Sequence, residues 1–391
     1  MKQILFLYII TALKYPIYDY KWQLSRINEY YKKDNILLEK FSLQIPSKCE
    51  HFANQITFSE DFKHSINSFF GVKDIYYGNF KDSINRIIPV VIKYFGNDNI
   101  NKIILENNES FHINHNQSNE VEIIENLKKM FLKQSHLEGT KFCSESKGID
   151  RFIDLWNHNK SKLLKIIYLN NNIQLLLLPI LQLANEKEIS SSNNQRKYQI
   201  PKVYEICGNT MYQSYDGQLL LNYFNSSFEL KLKITKQLII GMEQFTEGIS
   251  GFRIYLTDFN ADNVVFNEET EEISFIDLDN VIIVDSTKIL EVKSHTHEFI
   301  ECLGCFAYIP EEICSAYISD LNYFAICQFL REDLYKNVKN GFLYPIPKKY
   351  HRKLMYLLDT CFNYSSMLKQ KYASRYAIMK ELLNEIDNII M

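Results

Sequence analysis

Three carboxylates and an amide flank one short pair of apolar runs. Asp258 and, five residues on, Asn263 precede Val264, Val265 and Phe266, while Asp277 and Asp279 follow Ile273, Phe275 and Ile276. Between the runs lies Asn-Glu-Glu-Thr-Glu-Glu, a polar stretch that resists burial, so the spacing predicts a β-hairpin. A hairpin base carrying Asp, Asn and Asp offers oxygen ligands to a hard cation, and Mg²⁺ takes few protein groups plus phosphate oxygens. The chemistry suggested is metal-assisted phosphoryl transfer. The competing reading is a surface hairpin whose Asp and Asn serve only as turn formers.

Such groups act only where other elements hold them and their substrate. Ile87 to Phe95 (IIPVVIKYF) reads as an apolar strand with Lys93 inside it. An ammonium is rarely buried without a partner, so Lys93 either faces solvent or serves a negative group. Upstream, FFGVKDIYYGNF sets Gly71 and Gly78 around a tight, aromatic-flanked segment. Downstream, NEVEIIENLKKMFLKQ places Val121, Ile124, Leu127 and Phe131 at helical spacing. Residues from about 138 to 183 read as a helical insertion, and 185 to 199 as a polar Ser/Asn linker. IPKVYEICGNTMYQSYDG gives two strands joined at Gly208-Asn209, and Phe228 to Thr246 an amphipathic helix feeding the Asp258 segment. Further helices are expected over Ser319 to Tyr335, Lys348 to Cys361 and Ala373 to Ile390.

The order Asp-x-x-x-x-Asn, strand, turn, strand, Asp resembles the catalytic loop and metal-binding segment of protein kinases. Val90 to Lys93, reading V-V-I-K, is similar to the strand-lysine motif of the same proteins. The segments FFG, IPKVYEICGN, YLTDFNADNVVF, IDLDNVIIVD and DLNYFAICQFL, with cysteines clustered after Asp277, narrow the likeness. They resemble the divergent protein-kinase-domain family of the secretory pathway, the group named after "deleted in autism".

That resemblance implies an α+β, bilobal kinase-like fold, with a small β-rich N-lobe over 61–212 and a larger helical, cysteine-bearing C-lobe over 213–391. It implies ATP and Mg²⁺ or Mn²⁺ as cofactors, with the nucleotide between the lobes. Asp258 would receive the substrate hydroxyl's proton, and Asn263 and Asp277 would ligate the metal. Gly71 and Gly78 would form the turn over the phosphates, and Lys93 would meet the α/β phosphates, held by Glu120. Glu122 and Glu125 are alternatives to Glu120, and a hinge would fall at about Gln213 to Gly217. The chain departs from the kinase pattern at Leu256-Thr257, where His-Arg is usual, and at Leu278-Asp279, where Phe-Gly is usual. The expected function is phosphoryl transfer to a protein or glycan hydroxyl. The alternative is a pseudokinase, a secreted or luminal binding or signalling protein without catalysis.

Composition sets the remaining bounds. The 391 residues are 46% hydrophobic, enough for one large two-lobed domain or two modest ones. A net charge of −3 with dispersed Lys and Arg carries no electrostatic footprint for nucleic acid. Residues 1–13 combine Lys2 with an apolar run, which fits a signal peptide or signal anchor, and 14–60 form an N-terminal extension. No other membrane span is expected, and the expected address is the endoplasmic reticulum or Golgi lumen, or outside the cell. Asn-x-Ser sequons at Asn108, Asn116, Asn159, Asn225 and Asn363 would make a glycoprotein there. Eight cysteines, four of them between Cys302 and Cys327, suit disulfides in such a compartment, with a pairing that the sequence leaves open.

Overall fold

A computed structural model describes residues 56–58, 74–81, 84–95, 140–143, 146–155, 173–190, 198–207, 210–289, 293–302, 306–332, 340–365 and 372–391. In chain order the first elements are strands β1 (Ile56–Phe58), β2 (Asp74–Lys81), β3 (Ile87–Tyr94) and β4 (Lys141–Cys143), then helices α1 (Ser146–Asp154) and α2 (Gln174–Ser190). Strands β5 (Val203–Cys207), β6 (Thr210–Ser214) and β7 (Gln218–Leu219) lead to helix α3 (Phe228–Glu247). Strands β8 (Phe252–Leu256), β9 (Val264–Asn267), β10 (Glu272–Phe275), β11 (Val281–Asp285) and β12 (Ser294–His295) follow. Helix α4 (Pro310–Cys314), strand β13 (Ile318–Ser319) and helices α5 (Leu321–Arg331), α6 (Lys348–Phe362) and α7 (Arg375–Ile390) complete the described elements.

The fold is α+β and divides into a sheet-rich unit and a helix-rich unit. The first comprises residues 1–127, 159–176 and 201–215, and the second 128–158, 177–200 and 216–391.

The sheet-rich unit holds one antiparallel sheet in the order β1-β2-β3-β6-β5. Strand side chains alternate between faces, and here the alternation separates two surfaces of different chemistry. Tyr76, Phe80, Val90, Ile92, Tyr94 and Tyr212 pack together with Cys207 on one face. The opposite face carries Ile75, Tyr77, Val91, Lys93, Met211 and Gln213, as the pairings Ile75–Lys93–Met211 and Tyr77–Val91–Gln213 require.

In the helix-rich unit β11 is buried at every position because it is central, with β4 parallel on one edge and β8 antiparallel on the other. A second sheet runs β10-β9-β7. Helix α3 starts where the Ser227 side chain accepts from Leu230 N at 3.2 Å, and it packs on α5 and α7. Two expectations change. The supposed insertion begins with a strand, since Lys141–Cys143 pairs with Ile282–Val284. The supposed linker is helical as far as Ser190, where Glu186, Lys187 and Glu188 are good helix formers. Its end is fixed by Asn185, which donates to Tyr198 O at 2.8 Å and accepts from Tyr198 N at 2.6 Å.

Disulfides join Cys143 to Cys314 and Cys327 to Cys361, and Cys207 and Cys302 are also disulfide-bonded. Among the described residues no helix is long and apolar enough to cross a membrane.

Arg375 is wholly buried and ties four segments of this unit. Its Nε donates to Cys361 O at 2.8 Å, its Nη2 donates to His297 O and Tyr364 O at 2.9 Å each, and its Nη1 pairs with Asp320. Asp320 in turn accepts from His297 N at 2.7 Å. Arg375→Met therefore strands a buried carboxylate, and a loss of about 3–5 kcal/mol is expected in denaturant unfolding. The His297 ring stands edge-on to Phe324 at 4.6 Å. Burial first, then the Arg375 guanidinium and the His295 ring, push its pKa down to about 3. The unfolded chain takes up this proton near pH 6.5 while the folded chain refuses it, so stability from this group is intact above 6.5 and drains away as pH falls towards 3. The slope should be about 1.4 kcal/mol per pH unit at most, and His297→Phe should flatten it in unfolding curves taken across that range.

Candidate active site

Strand β8 ends at Leu256, and Asp258 emerges just beyond it, exposed. The following turn is closed by its own polar side chains. Asn260 Nδ2 donates to Asp258 Oδ1 at 3.0 Å, and Asn260 Oδ1 accepts from Asp262 N at 2.8 Å. Asn263 Nδ2 donates twice to Asp258, to the backbone O at 2.7 Å and to Oδ2 at 3.1 Å. Both amide hydrogens of Asn263 are thereby committed, and its Oδ1 is left as the atom that can meet a cation. Partial desolvation first, then the Asp258 charge, hold the Asp262 carboxyl above its usual range.

The expected hairpin is present, with Val264–Asn267 paired antiparallel to Glu272–Phe275. Two backbone bonds bring Asp277 to its base. Ile276 N donates to Asn263 O at 3.0 Å, and Thr257 N donates to Asn280 O at 3.1 Å. Leu278, where an aromatic is usual, is fully buried, and the backbone O of Asp279 accepts from Thr140 Oγ1 at 2.8 Å. The structure thus brings Asp258, Asn263 and Asp277 together within the helix-rich unit. Among the described residues no three His, Cys, Asp or Glu side chains converge as a metal cage. One carboxylate with one amide oxygen is nevertheless a donor set suited to Mg²⁺ or Mn²⁺ that keeps phosphate and water as its other ligands.

Asn322 holds this loop from behind, and the sequence reading passed over it. Its Oδ1 accepts from Leu256 N at 2.9 Å, and its Nδ2 donates to Ile254 O at 2.8 Å and to Thr246 Oγ1 at 3.0 Å. One fully buried amide therefore saturates the free edge of β8 and fastens it to α3. The available signal was an Asn within LNYFAICQFLR, a helix buried along its whole length. On the same strand the Tyr255 hydroxyl, pushed up to about 12 by burial, accepts from Ser319 N at 2.8 Å.

In the sheet-rich unit Lys93 lies on β3 at 4% exposure, so it is not the solvent-facing residue of the competing reading. Gly78 requires a correction of place. It is an interior residue of β2, paired with Phe58 and Val90, because the flanking Tyr76 and Phe80 both belong to the packed face and keep the strand extended. Gly71 and Glu120, with Glu122 and Glu125, lie outside the described residues. Near the expected hinge, Gly217 has φ +124°, and a Cβ there would stand 2.1 Å from Phe266 O, so only glycine fits between β7 and β9. Asp216 beside it accepts from Ser274 Oγ at 2.6 Å.

Residues 179–364 match the family model described as the protein-kinase domain of FAM69. The chain is similar to Divergent protein kinase domain 2A of Xenopus tropicalis at 28% identity, over 61% of this chain and 58% of that protein. The Mus musculus and Homo sapiens proteins of the same name are each 27% identical over the same shares. The chain thus spans 58% of the length of the curated relatives it matches. A solved structure, the complex of Rv3197 with erythromycin from Mycobacterium tuberculosis, aligns with TM-score 0.24 and 13% identity, over 66% of this chain and 56% of that one. So slight a likeness bears no weight for the fold. The Asp258–Asn263 loop lies within the segment that matches a protein-kinase domain. The matched model and these relatives support a divergent kinase-domain family for this chain.

Because Asn322 carries the edge of β8, Asn322→Leu leaves Leu256 N and Ile254 O buried without partners. A loss of about 2–4 kcal/mol in chemical unfolding is expected, against less than 1 kcal/mol for an exposed site such as Glu269→Ala.

Proposed function

We propose that this chain is a metal-dependent phosphotransferase that uses ATP to phosphorylate a hydroxyl of a protein or glycan in the secretory pathway. The observation carrying this reading is the pair of hydrogen bonds from Asn263 Nδ2 to Asp258. They orient the Asp258 carboxylate and turn the Asn263 oxygen outward, which are the two tasks that the catalytic loop of a kinase must perform. Asn263 and Asp277 hold the metal, and the bound ion supplies charge neutralisation at the transferring phosphoryl group. Asp258 aligns the acceptor hydroxyl and takes its proton. Lys93 places a positive charge on the nucleotide phosphates, and Glu120 is assigned to steady it. The disulfides support an oxidising compartment, hence the endoplasmic reticulum or Golgi lumen or the cell exterior. The replaced residues at Thr257 and Leu278 favour a second reading, in which nucleotide is bound and no phosphoryl group is transferred.

The test uses disulfide-intact protein in thermal shift and transfer assays with ATP and Mg²⁺ or Mn²⁺. Metal-dependent stabilisation by ATP is expected for wild type and should vanish in Lys93→Ala and Asp277→Ala. Asp258→Ala should keep binding while transfer to an acceptor falls by at least about 100-fold. Transfer that survives Asp258→Ala would sink the mechanism. Binding without any transfer from wild type would establish the second reading, and no binding by any form would remove both.

A further inference from the structure

Helix α6 opens with Lys348, Lys349, Tyr350, His351, Arg352 and Lys353, a local run of positive charge in a chain whose net charge is −3. At 3.6 residues per turn, Lys348, Lys349, Arg352 and Lys353 fall on one side of the helix and Leu354, Leu357, Leu358 and Cys361 on the other. The apolar side is buried where α6 packs on α5 and α7, and the basic side is exposed. Tyr356, at 48% exposure, lies on the basic side one turn beyond Arg352. The start of the helix is held in place. Tyr350 stacks on Phe228 of α3 with ring centroids 6.1 Å apart, and Lys349 Nζ donates to the Tyr350 hydroxyl at 3.1 Å.

These cations lack the carboxylates that other lysines of the same unit have. Lys141 pairs with Glu311, Lys233 with Glu271, Lys236 with Asp387 and Lys380 with Glu243, all at 2.6–2.9 Å. Within the run Lys353 pairs with Glu385, while among the described residues no carboxylate pairs with Lys348, Lys349 or Arg352. The charges also work against the helix that carries them. Its first turn holds no acid, cations there oppose the helix dipole, and Lys348 repels Arg352 across one turn. An external polyanion would relieve both terms.

We infer that the exposed side of α6 is a docking surface for a sulfated glycan, with Lys348, Lys349 and Arg352 on the sulfates and Tyr356 against a sugar ring. A helix face is open to water, so a single small anion gains little there. Anions linked along one chain engage several cations together, and each contact raises the effective concentration of the next. The disulfides support an oxidising compartment, where sulfated glycans are the polyanions at hand, whereas anionic lipid is concentrated in the cytoplasmic leaflet. The exposed Tyr356 adds an apolar ring with a polar tip, suited to a sugar face. This surface stands apart from the nucleotide reading, and its test involves no phosphoryl transfer.

The experiment measures binding of the disulfide-intact full chain, at about 0.15 M salt, to heparin, to hyaluronan, whose anions are all carboxylates, and to vesicles of phosphatidylcholine with phosphatidylserine. Wild type should bind heparin at least about 10-fold more tightly than either of the others. The triple variant Lys348→Gln, Lys349→Gln, Arg352→Gln should lose at least about 10-fold in heparin affinity, with thermal unfolding unchanged or raised. Lys233→Gln with Lys236→Gln removes two lysines that are already paired and should bind heparin as wild type does. Tyr356→Ala should weaken heparin binding about 3-fold or more. Heparin affinity that survives the triple variant overturns the inference, as does an equal loss in the paired-lysine variant. Equal binding of wild type to heparin and hyaluronan also overturns it, and tighter binding to the vesicles would make this face a membrane surface instead. The wild-type comparison stands even if a variant misfolds.

Discussion

Among the described residues strand β8 has one edge in a sheet and no strand on the other. Its outer edge must still be satisfied, because Ile254 and Leu256 are buried and a backbone polar group that is buried unpaired is costly. A single side chain, Asn322, meets both groups and reaches Thr246 of α3 as well. The strand therefore ends at a place fixed by one side chain, just before Asp258 emerges. The exposed turn can then be built from short polar side chains, since its two ends are held by Asn322 behind and by the Ile276–Asn263 bond in front.

Much of this was legible in the amino-acid order, and the reason is local. The Val264–Phe275 hairpin, the β5–β6 hairpin and helix α3 follow from apolar periodicity and turn residues within one window. Asp258, Asn263 and Asp277 could be picked out because strand and turn fix their separation. Other features depend on partners far along the chain. The parallel pairing of Lys141–Cys143 with β11 joins segments about 140 residues apart, and a three-residue strand carries no periodicity of its own. Asn322 opens a mostly apolar helix, LNYFAICQFLR, and nothing adjacent tells whether such a residue is satisfied. Gly78 misled for a related reason, since a glycine beside aromatics resembles a turn until the strand partners on both sides are known.

Two buried polar side chains join distant parts of the helix-rich unit. In the helix-rich unit Asn322 and Arg375 each draw together segments that are distant in sequence, and they act as joints. A buried polar group whose partners come from distant segments specifies the fold.

The Cys143–Cys314 bond turns part of the chain into a covalent ring. Its ends are 171 residues apart, and it encloses the β5–β6 hairpin, the Asp258 loop and the Asp277 turn. A pull on the two ends of the molecule would pass through the bond and bypass everything within it. At the ~3.5 Å that each extended residue adds, a tether of some hundreds of ångströms would stay hidden from such a force until the sulfurs were reduced. Under mechanical load the residues assigned to chemistry would be shielded while the flanking helices yield, and reduction would be the event that makes them extensible.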